Sequence, residues 1–283
     1  MTNTWVCDYA WGRPDPAAIK AAGFVAVCRY LSHDMTGKTL TADEAGALHA
    51  AGLGVVLNFE DSAGRPLQGA GAGTADAQFA NDLADQLGAP ASCPIYYSCD
   101  TDPGPQPSLQ LVAYYVAAAA VGRRPVGVYG GAVLVQFLLN RSIAQYGWTA
   151  NASSWDHGVA PVGHMHQLYG HPAGTPTIAG VSPQAYDTSE VLNPNFGAWG
   201  GTQGEPDMTP DEHNILVAIG QRLQQIQGEA PGSPPALGAA QISAIATAVV
   251  AALPPLSGQG GGVVDVKVIA TAVAAELAAR LQA

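Results

Sequence analysis

Pro94-Ile95-Tyr96-Tyr97-Ser98-Cys99-Asp100-Thr101-Asp102 is the stretch on which the fold turns. Its first six residues, mostly apolar, read as a short buried strand, and Pro103-Gly104-Pro105 stops it. Asp100 and Asp102 lie two residues apart, so on an extended segment they point the same way. At the end of a strand both would face the pocket beyond it, as an acid and a base or an acid and a charge stabiliser. Asp-x-Asp also occurs in solvated turns and metal loops, so its meaning depends on what stands at the other strand ends.

Short apolar runs of the same kind recur on both sides of this segment. Strands are expected at Trp5–Tyr9, Phe24–Tyr30, Gly54–Phe59, Pro94–Cys99, Pro125–Tyr129, Tyr146–Ala150, Gly163–Leu168 and Gln184–Tyr186. Helical patterns lie between them at Pro16–Ala22, Ala42–Ala51, Thr74–Leu87, Ser108–Val121 and Ala132–Asn140. Asp15 and Thr41 stand where helix caps belong, and Gly23, Gly52, Gly88 and Gly122 stand where helices should end. Strand–helix alternation of this length implies an α/β protein with a parallel sheet. Eight strands suggest a closed (β/α)8 TIM-type barrel, with irregular last units because the later part is poor in helix.

The bulk composition narrows the function. A formal net charge of −11 leaves no basic footprint for nucleic acid and no attraction to an anionic membrane. With 48% hydrophobic and 12% charged residues the chain can build a large core. Its apolar runs are too short or too interrupted to span a bilayer. The first residues, Met1-Thr2-Asn3-Thr4-Trp5, show no basic and then apolar pattern, so folding in a cytoplasm without a signal peptide is expected. Cys7, Cys28, Cys93 and Cys99 have no metal or redox spacing and read as buried thiols. If Asp8, Arg29 and Asp100 face a pocket, alternation turns Cys7, Cys28 and Cys99 into the strand–helix layer.

Chemistry in a barrel of this kind gathers at the C-terminal ends of the strands. Those ends read Asp8-Tyr9, Arg29-Tyr30, Glu60-Asp61, Asp100 with Asp102, Tyr129, Asn151, His166-Gln167 and Asp187. Carboxylates brought together in one pocket raise one another's pKa and can keep a proton near neutral pH. Trp11, Tyr30, Tyr96, Trp148, Trp155 and Tyr169 lie near the same ends. Acids together with aromatic platforms suit a sugar. His164, His166 and His171 show no complete ligand pattern, so neither a metal nor a cofactor is expected.

Cys-Asp-Tyr on strand 1, Asp-x-Asp on strand 4, Val-Tyr-Gly-Gly after strand 5, a Trp on strand 6, His-Gln-Leu-Tyr on strand 7 and Tyr-Asp on strand 8 together resemble a known family. It is a glycoside-hydrolase-like barrel of actinobacteria and their phages, distantly similar to the family 25 lysozymes. The resemblance covers about residues 4–200. It implies Asp8, Asp100, Asp102 and Asp187 as site acids, with Glu60 as an alternative proton donor. It also implies that Arg29, Tyr30, Tyr129, Trp148 and Gln167 hold the sugar. The lysozymes place a Glu donor where this chain has Asp102. A side chain one methylene shorter sets the carboxyl back by about 1 Å, which can cost about 100-fold in rate. The implied activity is therefore cleavage of peptidoglycan as a glycoside hydrolase, or binding of surface glycan without cleavage.

Residues 1–200 are expected to form the barrel, 201–210 a linker, 211–228 a short amphipathic helix and 229–238 a second linker. Residues 239–283 hold two Ala-rich repeats, Ile245–Leu253 and Ile269–Leu277, whose thin apolar stripes need a partner. Similar barrels with such tails resemble minor tail proteins of phages. That resemblance implies a virion location, docking to other tail proteins and self-association, with a trimer expected.

Overall fold

The computed structural model describes residues 4–200; the expected helices and repeats beyond residue 200 lie outside the described residues. Eight strands close into a barrel in sequence order. They are β1 (Trp5–Asp8), β2 (Phe24–Leu31), β3 (Gly54–Phe59), β4 (Ile95–Ser98), β5 (Val126–Gly130), β6 (Tyr146–Thr149), β7 (Met165–Gln167) and β8 (Asp187–Val191). Five α-helices are present among the described residues: α1 (Pro16–Ala22), α2 (Ala42–Ala50), α3 (Ala70–Gln86), α4 (Leu109–Val121) and α5 (Ala132–Asn140). They follow the first five strands. The later connections carry only short 3-10 turns, as the sequence leads one to expect.

Helix boundaries follow local chemistry. The Asp15 carboxylate accepts from the Ala17 N–H, Thr41 from Glu44 and Ser108 from Leu111, each satisfying an otherwise unpaired first-turn donor. Gly23 ends α1 in the left-handed region at φ 102°. α3 begins four residues earlier than expected, because Gly71 and Gly73 weaken the helical pattern of its first turn. Gly73 is needed there: a Cβ would lie 2.1 Å from the Tyr114 carbonyl oxygen, so α3 and α4 can pack this closely only at a glycine.

Strands β1 to β7 pair in parallel, but β8 runs antiparallel to both β7 and β1. The expected eighth strand, Gln184–Tyr186, is instead a 3-10 turn that starts at Pro183 and is capped by Ser182. The true β8, Asp-Thr-Ser-Glu-Val, has no apolar run to betray it. Its reversal places its first residue, Asp187, at the same barrel end as the C-termini of the parallel strands.

Strand alternation separates two apolar layers. Val6, Ala26, Cys28, Val56, Tyr96 and Trp148 fill the barrel interior, while Cys7, Val27, Val55, Leu57 and Tyr97 lie under the helices. Cys7 and Cys99 therefore sit in the outer layer as expected, but Cys28 points inward and Arg29 outward. Phe196 closes the far end of the interior, where its carbonyl accepts from the Tyr96 hydroxyl at 3.0 Å.

Candidate active site

The mouth of the barrel holds a cavity of about 250 Å³ lined by Tyr30, Asn58, Glu60, Asp100, Tyr129, Trp148, Asn151, Gln167 and Asp187. Each comes from a strand end or the residues just past it. The walls are polar and acidic, and Trp148 is fixed within them by its indole N–H, which donates to Ser189 Oγ at 3.0 Å.

Asp8 lies beneath this cavity, directly opposite Asp187 in the antiparallel β1–β8 ladder. Opposed residues put their side chains on the same face, so two carboxylates are held against each other. Burial, followed by the charge of Asp187, pushes Asp8 up to about 7, with Gln167 pulling the other way. Gln167 Nε2 donates to Asp8 Oδ2 at 3.1 Å, and the Tyr30 hydroxyl donates to Oδ1 at 3.4 Å. Burial also raises Asp187, while His171 lowers it. The repulsion between the two acids thus falls on the more deeply buried Asp8.

Asp100 is raised by burial and then by the charge of Glu60. Lys38 and the nearby Tyr129 hydroxyl pull it the other way. That hydroxyl donates to Gln167 Oε1 at 2.8 Å, and the Gln167 amide in turn donates to Asp8. Glu60 is bound differently, accepting from Lys38 Nζ at 2.8 Å. Lys38 is almost buried and lies over the Tyr30 ring, 4.8 Å from its centroid.

Asp8, Glu60, Asp100, Asp187, Tyr30, Tyr129, Trp148 and Gln167 are thus brought together as the sequence led us to expect. Two expected site residues are not. Asp102 stands outside the cavity, where the His157 ring nitrogen meets its Oδ1 at 2.7 Å and the Gly104 N–H its Oδ1 at 2.8 Å; both contacts lower its pKa. The alternation that pairs it with Asp100 ends with β4 at Ser98, because the following turn breaks the extended backbone. Arg29 is fully buried on the outer face of β2. It donates to both Glu44 oxygens, at 2.7 and 3.2 Å, and to the Tyr9 carbonyl oxygen, and it stacks on the Tyr9 ring. Its partner is a helix carboxylate and no cavity acid. In sequence Glu44, in the first turn of α2, reads only as a helix-dipole partner, and Lys38 and Asn58 are not singled out. Lysine is scarce in this chain, and one placed between two strand ends was the available signal for Lys38.

A closed barrel with acids and aromatic side chains gathered at one mouth defines a glycoside-hydrolase-like protein. A family description, Rv2525c-like glycoside hydrolase-like domain, matches residues 17–233, and the chain belongs to that family. A Mycobacterium tuberculosis relative, "Putative peptidoglycan hydrolase Rv2525c", is 30% identical over 203 residues, covering 68% of this chain and 82% of the relative. Its crystal structure with L-tartrate is similar with a TM-score of 0.60 and 29% identity, covering 70% of this chain and 99% of that one. The same protein with HEPES gives a TM-score of 0.60 and 28% identity over equal shares. That relative is described as Tat-secreted. This overturns the expected location, a phage virion protein made without a signal peptide, and the tail-protein reading loses its support with it.

Proposed function

We propose that this protein acts at the cell envelope, where it binds the glycan of peptidoglycan and hydrolyses its glycosidic bonds. The observation that carries the proposal is the set of acids at the mouth, whose environments drive them apart. Asp100 lines the cavity with a pKa raised by burial and by the charge of Glu60. Glu60 is ion-paired to Lys38. Two carboxyl groups in such contrasting surroundings are what an acid and its ionised partner require.

In this reading Asp100 gives its proton to the departing glycosidic oxygen. Glu60 supports the positive charge that develops on the sugar or directs the attacking water. Asp187 lies at the open side of the cavity and positions the ring, burial and the charge of Glu60 keep the proton on Asp100, and Tyr129 and Gln167 line the site beside it. Peptidoglycan is chosen as substrate because the Mycobacterium tuberculosis relative carries a peptidoglycan hydrolase name. Beyond the barrel, the two Ala-rich repeats would serve self-association, which solution mass with and without residues 205–283 tests.

One observation favours a second reading, binding without cleavage. Asp102, the position that corresponds to the lysozyme proton donor, is outside the cavity. Release of reducing ends from purified peptidoglycan, compared between the full chain and Asp100→Asn, separates the two. Release that the variant loses supports hydrolysis. Retention of the protein on peptidoglycan with no release from either form supports binding alone.

A further inference from the structure

Trp11 and Met35 are 62% and 67% exposed. Trp11 is nevertheless fixed. Its indole N–H donates to Asp34 Oδ2 at 3.2 Å, and Asp34 Oδ1 in turn accepts from the Thr36 N–H at 2.8 Å and from its hydroxyl. Gly37, at φ 140°, brings its backbone against the indole edge: a Cβ there would lie 3.5 Å from Trp11 Cδ1. Arg13 fastens the same loop through the Thr39 carbonyl at 3.1 Å. The next residue after Gly37 is Lys38, whose ammonium reaches Glu60 in the cavity wall. One short loop after β2 therefore holds the Trp11 indole through Asp34 and reaches the cavity wall through Lys38.

We infer that Trp11 is a sugar-stacking platform, a binding subsite for a second ring of the glycan chain beside the catalytic cavity. This rests on the glycan reading above and extends it. A cavity of about 250 Å³ lies below the roughly 300–1,000 Å³ of sites that enclose a drug-sized ligand. A polymer with one ring inside must continue over the rim. An indole held in place by its own N–H loses little freedom when covered, so its open face is pre-organised for an apolar sugar face. The loop and the indole come from the ends of β2 and β1, so the subsite sets the direction in which the chain leaves.

The test is calorimetric binding of N-acetylglucosamine and its β-1,4-linked tetramer to the full chain, to Trp11→Ala and to Trp11→Phe. The side chain is exposed, and thermal melts check that the variants remain folded. The native chain should bind the tetramer more tightly than the monomer. Trp11→Ala should reduce that advantage about tenfold while leaving monomer affinity unchanged, and Trp11→Phe should restore part of it. An equal advantage in Trp11→Ala, or no advantage in the native chain, overturns the subsite while leaving the cavity reading intact. Failure of the native chain to bind either saccharide overturns both.

Discussion

Replacing Asp8 by Asn should make the protein more stable above neutral pH, a gain that shrinks steadily in acid and vanishes below about pH 4. Folding moves this carboxyl from the ordinary 3.8 to about 7, chiefly by burial and by the charge of Asp187. Each tenfold change in proton affinity is ~1.4 kcal/mol, so ionising Asp8 in the folded state costs on the order of 4 kcal/mol. Between about pH 4 and pH 7 the folded chain holds a proton that the unfolded chain has released. Stability therefore falls as pH rises through this window, and the loss is complete above the folded pKa. Asn is neutral throughout. Its Oδ1 can accept from Gln167, and its amide can donate to the Tyr30 oxygen after that hydroxyl rotates. Relaxation and water entry reduce the gain, so about 2 kcal/mol is expected near pH 8. For a domain of this size that is roughly 4–8 °C in Tm. Thermal unfolding of both forms, followed by circular dichroism at about pH 4 and pH 8, measures the difference. Parallel pH dependence in the two proteins would refute the forced pairing of Asp8 with Asp187.

Glu44→Ala should destabilise the barrel by about 3–5 kcal/mol in urea unfolding, because it strands the buried Arg29 guanidinium; a loss confined to saccharide binding would return Arg29 to the site. Asp102→Asn should change peptidoglycan cleavage less than about twofold, whereas Asp100→Asn should lower it about 100-fold; the reverse order would show that the loop after β4 closes over the substrate. Gly73→Ala should cost about 3 kcal/mol in the same unfolding assay, since its methyl group meets the Tyr114 carbonyl oxygen. A stable Gly73→Ala variant would mean that α3 and α4 can separate freely.

Fold and site were legible to different depths. Seven of the eight strands announced themselves by short apolar runs, and Asp15 and Thr41 marked the first turns of their helices. β8 did not, because Thr188 and Ser189 are buried by hydrogen bonding, which leaves no hydrophobic pattern. The strand ends led correctly to Asp8, Glu60 and Asp100, whereas Asp187 reaches the mouth because β8 begins there and runs backwards. Alternation failed at Asp102, one turn past the end of regular strand geometry, and at Arg29, which was assigned to the wrong face of β2.

The sequence by itself determined a barrel with acids at one mouth, since apolar periodicity and polar strand ends are local properties of the chain. Only the tertiary structure decided how those acids are paired. The reversal of β8 sets Asp187 against Asp8, the α2 carboxylate Glu44 takes Arg29 away from the cavity, and a loop lysine binds Glu60. Each of these contacts joins residues far apart in sequence, and the resulting charge balance belongs to the closed barrel rather than to any one strand.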